Sequence, residues 1–412
     1  MANHTEILQK LLVYRNILAD NFLREFVCRQ FKQDEFPYDL AYELIKKAED
    51  LGFEGNLLHN YILYLISRDE NAFSITAEKY GGVIGSSLAK AVLRDITVIK
   101  QFFQQHNDPF FSSDLITSYV PTNNSLYNDL RCLKTVFFDA EKQHTPEQVM
   151  NELIQHYISH GYGTIAGHAF LRWDENQHLV GIKHYDTVTF EDIVGYERQK
   201  HILIKNAEAF LAGKPYHNVL LVGARGTGKS SSVKALINEY YCKGLRLVEI
   251  PKRSLSDLTK VMNTLEHYGK KFVLFLDDLS FEETEVEYKC LKSALEGGVG
   301  LIPENIMICA TSNRRHLVRE TWQDRAGNPD DVHRLDSVHE KISLSDRFGI
   351  TLTYQAPNQE EYMRIVEELA KKHAVPISPS ELKSQAVRWE MSHSGRSGRT
   401  ARQLITHLLS SK

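Results

Sequence analysis

The sequence contains little cysteine and little proline. Five of its 412 residues are cysteines, and no two of them form a C-x-x-C pair; they are Cys28, Cys132, Cys242, Cys290 and Cys309. This spacing argues against a disulfide framework or a zinc ribbon and favours buried thiols in a reducing compartment. The 11 prolines are fewer than the roughly 5% of an average protein, which favours helices.

Long apolar stretches are also missing. No uninterrupted apolar run approaches the ~18 residues that indicate a transmembrane helix. The first ten residues, MANHTEILQK, lack the basic region and the apolar region of a secretory signal. We therefore expect a cytoplasmic protein.

A strong charge of one sign is missing as well. The formal net charge is −4, so no basic field holds nucleic acid or an anionic lipid surface by charge alone. Residues 1–183 contain 17 of the 49 basic and 23 of the 53 acidic residues. The first part of the chain is therefore acidic, and the remainder is slightly basic.

The acidic part, residues 1–183, is predicted to form a mostly helical domain. Apolar residues recur there at helical spacing, for example in the segment 57–66 with the sequence LLHNYILYLI. The segment 161–184 has short alternating stretches and is interpreted as a small hairpin or a connector. No cluster of catalytic residue types occurs in this part, so we expect it to recognise a protein partner whose identity the sequence leaves open.

After about Tyr185, short apolar runs alternate with helical segments. Five runs occur at residues 218–222, 245–250, 272–276, 306–310 and 350–354. Continuous apolar strands separated by helices predict a parallel sheet that is covered on both faces. A last helical block is predicted from about Asn358 to the end of the sequence.

The first run leads directly into a glycine-rich segment, Gly223-Ala-Arg-Gly-Thr-Gly-Lys-Ser230, which has the spacing G-x-x-x-x-G-K-S. Its glycines allow backbone N–H groups to face a phosphate, and the following helix adds partial positive charge at its N-terminus. We expect Lys229 to reach the β- and γ-phosphates and Ser230 to offer its hydroxyl to Mg²⁺. The segment therefore predicts a nucleoside-triphosphate site.

The third run ends in two acidic residues, Asp277 and Asp278. Ligands in open α/β sheets bind beyond the carboxyl ends of the strands, which brings both residues close to the phosphate loop. We expect Asp277 to hold Mg²⁺ through water and Asp278 to face the water that attacks the γ-phosphate.

These motifs resemble those of the AAA+ ATPase superfamily, and the resemblance extends from about Thr189 to the C-terminus. The segment FEDIVG, which ends at Gly195, resembles the AAA+ segment that packs on adenine. The segment ATSN, which ends at Asn313, resembles sensor 1. The segment SDRFG at 345–349 resembles the stretch that carries the arginine finger, so Arg347 is the candidate.

The segment SGRTARQL at 397–404 resembles sensor 2, with Arg402 as the best match and Arg399 as the second. More narrowly, the phosphate loop together with DDLSFE at 277–282 and ATSNRRHL at 310–317 resembles a bacterial AAA+ family of unassigned function. The resemblance implies ATP as substrate, Mg²⁺ as cofactor, and a homo-oligomer in which Arg347 reaches the nucleotide of a neighbouring subunit. A local ion pair with Asp346 is the alternative role for Arg347.

The predicted site residues fall into three sets. The nucleotide-binding set is Ile193, Val194, Gly195, Gly223, Ala224, Arg225, Gly226, Thr227, Gly228, Lys229, Ser230 and Ser231. The catalytic set is Lys229, Asp278, Asn313, Arg347 and Arg402. The metal-binding set is Ser230 and Asp277.

Asp278 departs from the AAA+ pattern, because many members have glutamate at this position. Aspartate is one methylene shorter, and a misplacement of about 1 Å can cost about a hundredfold in rate, so fast turnover is not assured. Glu282 and Glu283 lie close by in sequence and are alternatives for the same role. The function predicted from the sequence is therefore Mg²⁺-dependent ATP hydrolysis that drives conformational change or partner remodelling, with an ATP-binding switch of little turnover as the alternative.

Two further functions are disfavoured. The region after the second run, PKRSLSDL at 251–258, lacks the aromatic residue that AAA+ unfoldases carry there, so threading of a polypeptide is not expected.

The cluster Arg314-Arg315-His316 is either a contact for a subunit, nucleic acid or phosphate, or a solvated turn. A nucleic-acid-stimulated ATPase or loader remains a third alternative, which the net charge does not favour.

The predicted architecture is an α/β fold with three parts. Residues 184–356 form a P-loop parallel sheet, the AAA+ core. Residues 357–412 form a helical lid, and residues 1–183 form the mostly helical N-terminal domain.

Overall fold

The computed structural model describes residues 7–29, 36–104, 113–122, 130–138, 144–281, 286–296, 302–313, 346–393 and 395–410. The chain divides into two compact units. Unit 1 comprises Met1–Gly167 and His267–Lys270, and unit 2 comprises His168–Glu266 and Lys271–Lys412.

Unit 1 is helical, as its apolar spacing predicts. Capping boxes begin two of its helices, one made by Asn71 with Ser74 and one by Thr145 with Gln148. These side chains satisfy backbone N–H groups that have no partner inside the helix. The helices are α1 (Asn21–Cys28), α2 (Tyr38–Leu51), α3 (Leu57–Arg68), α4 (Ala72–Lys79), α5 (Ser86–Phe103), α6 (Asp114–Thr117), α7 (Arg131–Phe138) and α8 (Pro146–His160).

A buried carboxylate joins the N-terminal segment of unit 1 to α5. Asp95 is fully buried and accepts hydrogen bonds from the backbone N–H groups of Leu12, Val13 and Tyr14 at 3.0, 2.7 and 3.1 Å. These donors compensate for the cost of burying a polar group. The hydroxyl of Tyr14 lies 3.1 Å from that of Tyr157, which joins α8 to the same cluster.

The tetrapeptide His267–Lys270 packs inside unit 1. The N–H of Gly269 donates to Oε2 of Glu78 at 3.0 Å, and Nζ of Lys270 lies 3.9 Å from Oε1 of the same carboxylate. The ring of Tyr268 stacks on Tyr162 with centroids 5.1 Å apart. A Cβ atom at Gly269 would lie 2.7 Å from the carbonyl oxygen of Glu78, so the close packing here requires glycine.

The described residues of unit 2 form a sheet with the strands β1 (Phe170–Trp173), β2 (Leu179–Gly181), β3 (Val219–Gly223), β4 (Leu245–Glu249), β5 (Lys271–Leu276), β6 (Ile306–Ser312) and β7 (Ile350–Tyr354). Their order in the sheet is β2-β1-β4-β5-β6-β3-β7. All neighbouring strands are parallel except β1 and β2. The five predicted apolar runs are β3 to β7, and the predicted fold class is confirmed.

Among the described residues of unit 2, four α-helices lie between the strands in sequence: α9 (Glu197–Leu211), α10 (Lys229–Tyr240), α11 (Leu258–Glu266) and α12 (Val286–Glu296). Val219 and Leu221 on β3 belong to a buried core with Leu203 of α9 and Val233 of α10. Strands buried in this way consist almost wholly of apolar residues, which is why the runs are continuous rather than alternating.

The segment 161–184, interpreted as a hairpin or a connector, contains the antiparallel hairpin β1–β2. Strand β1 also pairs in parallel with β4, with Leu171 opposite Val248. The hairpin therefore extends the sheet of unit 2 and belongs to that unit. The division into 1–183, 184–356 and 357–412 stays a prediction about functional parts.

The C-terminal helices form a bundle with a core of its own, as the predicted helical block requires. They are α13 (Gln359–Lys372), α14 (Pro379–Ser392) and α15 (Gly398–Ser410). A capping box of Asn358 and Glu361 begins α13. Tyr362, Leu382 and Leu404, one from each helix, are buried together. Within the described part of the chain, no helix is both long enough and apolar enough to cross a membrane.

Candidate nucleotide-binding site

The glycine-rich loop runs from the end of β3 to the start of α10. Gly223, Gly226 and Gly228 have φ values of +146°, +75° and +94°, which side-chain-bearing residues rarely adopt. A Cβ atom at Gly223 would lie 1.9 Å from the carbonyl oxygen of Tyr354. Helix α10 begins at Lys229, directly after this loop. The backbone N–H groups of its first turn therefore have no partner within the helix and lie next to the loop.

Lys229 lies at the centre of the loop. Its Nζ donates hydrogen bonds to the carbonyl oxygens of Gly223 and Ala224 at 2.9 and 2.7 Å and to Oδ1 of Asn313 at 3.0 Å. Burial lowers the pKa of Lys229, while Asp278 and Asp277 oppose this shift and Arg225 reinforces it. The ammonium group is therefore stripped of much of its water and suited to an anionic partner.

The two predicted metal-binding residues are in contact. The hydroxyl of Ser230 donates to Oδ1 of Asp277 at 2.6 Å. The hydroxyl of Thr311, on β6, donates to the same oxygen at 2.6 Å. A hydroxyl and a carboxylate are the hard oxygen ligands that Mg²⁺ uses beside phosphate, so the residues present fit Mg²⁺ held together with a triphosphate.

Asp278 points to a different set of groups. The side-chain amide of Asn313 donates to its Oδ1, and NH2 of Arg225 lies 4.0 Å from its Oδ2. Its backbone has a φ of +53°, in the left-handed region. Aspartate and asparagine are the non-glycine residues that enter this region most readily. The two adjacent carboxylates therefore serve separate partners.

A cavity of about 830 Å³ opens over these residues, within the range of about 300–1,000 Å³ that is usual for ligand sites. Its lining includes most of the predicted set: Ile193, Val194, Arg225, Gly226, Thr227, Gly228, Lys229, Ser230, Ser231, Asp277, Asp278, Asn313 and Arg402. Gly223 and Ala224 are not among the described lining residues, and their carbonyl oxygens accept hydrogen bonds from Nζ of Lys229. Gly195 lines a second cavity of about 720 Å³.

The segment before α9 forms one wall of the larger cavity. Ile193 is buried, and a Cβ atom at Gly228 would lie 3.3 Å from its side chain. Asp192 accepts hydrogen bonds from the backbone and hydroxyl of Thr189 and pairs with Lys372 of α13. These contacts of Asp192 hold the segment to the turn at Thr189 and to the C-terminal bundle. Its buried Ile193 gives the wall an apolar surface suitable for the base of a nucleotide.

Helix α15 contributes another part of the lining. The backbone N–H of Arg399 donates to the carbonyl oxygen of Gly226 at 3.3 Å, so the helix begins directly at the phosphate loop. Arg399 and Arg402 both line the cavity, together with Gln403 and Thr406. Both sensor 2 candidates therefore face the same space, and the choice between them stays a prediction.

Arg347 is exposed and lies in the segment just before β7. It is not one of the described residues that line the larger cavity. Of the five predicted catalytic residues, Lys229, Asp278, Asn313 and Arg402 line the cavity and Arg347 does not. Glu282, Glu283, Arg314, Arg315 and His316 lie outside the described residues.

Sequence reasoning missed several residues of the site. Thr311 contacts Asp277, and the buried Ser397 packs against Gly226, where an added Cβ atom would lie 2.8 Å from its hydroxyl oxygen. Gln403 and Thr406 line the cavity on the face that carries Arg399 and Arg402. Gln403 and Thr406 follow Arg399 by four and seven positions, and this helical spacing is the signal that would have identified them.

One family model and several curated proteins match part of this chain. A family model described as "Protein of unknown function (DUF815)" matches residues 166–412. Replication factor C large subunit of Methanococcus vannielii is 29% identical over 183 residues, which are 41% of this chain and 36% of that protein. A putative 26S proteasome regulatory subunit homolog of Methanocaldococcus jannaschii is 27% identical over 210 residues, which are 46% and 50% of the two chains.

These curated relatives are matched over about a third to a half of their own length. Among solved structures, the RuvB Holliday junction branch migration motor of Thermotoga maritima aligns with a TM-score of 0.37 and 19% identity. That alignment covers 53% of this chain and 63% of RuvB.

Proposed function

This chain belongs to the DUF815 family of proteins of unknown function, and we propose that it has an AAA+ core that binds ATP with Mg²⁺ and hydrolyses it. The energy drives a change of shape or the remodelling of a partner. One observation carries the proposal: a lysine, a serine hydroxyl and two carboxylates from separate segments converge on one cavity.

Each of these residues has a distinct task in the proposed reaction. Lys229 exchanges the loop carbonyls that it now contacts for phosphate oxygens, with which a buried ammonium group interacts strongly. Ser230 and Asp277 would hold Mg²⁺, which neutralises charge on the phosphates when bound. Asp278 and Asn313, which are hydrogen-bonded to each other, hold the attacking water.

Two arginines complete the proposed site. Arg402 faces the cavity from α15 and acts as sensor 2, with Arg399 as the second candidate. Arg347 is exposed and does not line the cavity of its own chain, which supports a role as an arginine finger in a neighbouring subunit. Guanidinium groups suit this role because they are always charged and present a rigid fork to the phosphate. The active form is then a homo-oligomer.

A second function, an ATP-binding switch with little turnover, is favoured by one observation. Asp278 is a short carboxylate whose left-handed backbone and contacts with Asn313 and Arg225 restrict its reach. In either function unit 1 recognises the partner, for which a protein is the candidate because the chain has no excess of basic charge.

Phosphate release from ATP tests the proposal directly. We expect Mg²⁺-dependent release by the wild type that chelation of Mg²⁺ abolishes. Lys229→Ala removes the phosphate-binding cation and should reduce release at least about a hundredfold. Lys205→Ala is the matched control, since Lys205 is an exposed lysine on α9. Tight ATP binding without release in the wild type supports the switch, whereas no binding by the wild type contradicts both functions.

A further inference from the structure

Thr311 contacts both acidic residues of the site. Its hydroxyl donates to Oδ1 of Asp277 at 2.6 Å and accepts from the backbone N–H of Asp278 at 2.8 Å. Its carbonyl oxygen accepts from the N–H of Leu279 at 2.7 Å. Only 1% of Thr311 is exposed, so these bonds form away from water, where a polar group that loses its partner is costly.

The bonds to Thr311 explain the unusual backbone of Asp278. They fix the N–H group of Asp278 and the N–H group that follows it, which are the peptide groups on either side of its Cα atom. The backbone between them has a φ of +53°. Strained conformations of this kind persist where the surroundings determine them on several sides. Thr311 therefore fixes the turn that separates the two carboxylates.

This turn gives the adjacent carboxylates different directions. Asp277 contacts Ser230 of the phosphate loop, and Asp278 contacts Asn313 on the neighbouring strand end. In an ordinary extended strand, successive side chains alternate between opposite faces of the sheet, which would send one carboxylate away from the cavity. With the left-handed turn, both Asp277 and Asp278 line it.

We propose that Thr311 is a positioning residue, which orients Asp277 for Mg²⁺ and Asp278 for the attacking water through one hydroxyl group. The inference rests on the proposed function, since these orientations matter only if the site binds ATP with Mg²⁺. Misplacing a reacting group by about 1 Å can cost about a hundredfold in rate. Loss of the Thr311 hydroxyl therefore affects metal response and turnover more than nucleotide binding itself.

Three variants test this role. Thr311→Val keeps the branched shape and removes the hydroxyl, and Thr311→Ser keeps the hydroxyl. Ser312→Ala is the matched control, because Ser312 is the next residue on β6, is fully buried, and donates its hydroxyl to the carbonyl oxygen of Leu279 at 2.7 Å. Thr311→Ala replaces the valine variant if circular dichroism shows that the latter does not fold.

Two quantities are measured on the full chain: the affinity for a fluorescent ATP analogue with Mg²⁺ and with EDTA, and the rate of phosphate release. For Thr311→Val we expect the Mg²⁺ concentration at half-saturation to rise about tenfold and kcat to fall about a hundredfold. Affinity in EDTA should change less than about threefold. Thr311→Ser should restore both quantities, and Ser312→Ala should keep the Mg²⁺ response of the wild type.

The outcomes distinguish a failure of the positioning role of Thr311 from a failure of the proposed function. An unchanged Mg²⁺ response in Thr311→Val, or an equal loss of affinity with Mg²⁺ and with EDTA, overturns the positioning role while leaving ATP hydrolysis intact. Failure of Thr311→Ser to restore the response overturns it too. A wild type that binds no nucleotide in either condition contradicts the proposed function and this inference together.

Discussion

Ser230 Oγ lies 2.6 Å from Oδ1 of Asp277, although the two residues are 47 positions apart in the sequence. One belongs to the first turn of α10 and the other follows β5 directly. Strand β6 lies between β3 and β5 in the sheet. The contact therefore extends across the carboxyl ends of three neighbouring strands. The contact brings a hydroxyl and a carboxylate together at the place where the phosphate loop ends.

Ser230→Ala should remove most of the effect of Mg²⁺ on ATP affinity. The variant loses a hydroxyl that would bind the metal but keeps the loop, so Mg²⁺ should improve affinity about tenfold less than in the wild type. Titration of a fluorescent ATP analogue with Mg²⁺ and with EDTA measures this. The EDTA arm is the internal control, and an equal loss in both arms would show that Ser230 supports the loop rather than a metal.

Gly223→Ala should destabilise unit 2 strongly. The new Cβ atom would lie 1.9 Å from the carbonyl oxygen of Tyr354, a backbone atom of the paired strand β7 that cannot move aside alone. We expect a loss of more than about 3 kcal/mol in the free energy of unfolding, measured by urea denaturation. Gly213→Ala is the matched control.

Gly213 also has a positive φ, +65°, but an added Cβ atom there meets nothing within 4 Å. Its substitution should cost only about 1–2 kcal/mol, from the backbone conformation. Equal losses for the two variants would contradict the claim that close approach of β7 is what requires glycine at Gly223.

Mixing two inactive variants should restore ATP hydrolysis if Arg347 acts on a neighbouring subunit. A Lys229→Ala subunit still supplies Arg347, and an Arg347→Ala subunit still supplies an intact phosphate loop, so mixed oligomers contain complete sites. Phosphate release by the mixture should exceed that of either variant alone and should increase with protein concentration. The control is a mixture of Lys229→Ala with Asn313→Ala, in which both substitutions impair the subunit's own site.

No recovery in the first mixture, together with an active Arg347→Ala variant, would contradict the arginine finger. Recovery in both mixtures would also contradict it, because exchange between subunits would then not depend on Arg347.

Acid should weaken unit 1 through His156. Burial lowers the pKa of His156 to about 3, and the positive charges of His160, Arg68 and Lys270 lower it as well, while a hydrogen bond with the backbone of Ser67 opposes this. The unfolded chain takes up this proton near pH 6.5. The stability that the neutral ring contributes is therefore complete above about pH 6.5 and is lost as the pH falls towards 3.

His156→Phe removes the titrating group. We expect the difference in free energy of unfolding between wild type and variant to increase by roughly 1 kcal/mol per unit from pH 4.5 to 6.5, measured by urea denaturation. Burial raises the pKa of Asp69 to about 6, which gives the opposite slope over part of this range in both proteins. Comparing the two proteins cancels it, and parallel curves would show that His156 titrates normally.

The sequence predicts the core of unit 2 well because its strands are buried on both faces. Burial makes each run continuous, and the spacing of Gly223 to Ser230 identifies the loop between strand and helix. The capping pair of Asn358 and Glu361 likewise marks the start of α13. Each of these features is local in sequence, so the chemistry of a few neighbouring residues determines it.

Features that depend on distant partners were not predictable in the same way. The left-handed turn at Asp278 depends on Thr311, which is 33 residues away. The inclusion of His267–Lys270 in unit 1 depends on Glu78 and Tyr162, to which no pattern around Gly269 points. The parallel pairing of β1 with β4 is equally invisible in the short alternating segment that precedes residue 184.

Single-turnover hydrolysis by Asp278→Asn tests the central claim most directly. Asparagine keeps the size and the left-handed backbone of Asp278 but cannot accept a proton from water. With Mg²⁺, the account predicts that wild type and variant bind the ATP analogue alike, while phosphate release by the variant is slower by about a hundredfold or more. Equal rates of release in the two proteins, or a wild type that does not bind ATP, would contradict it.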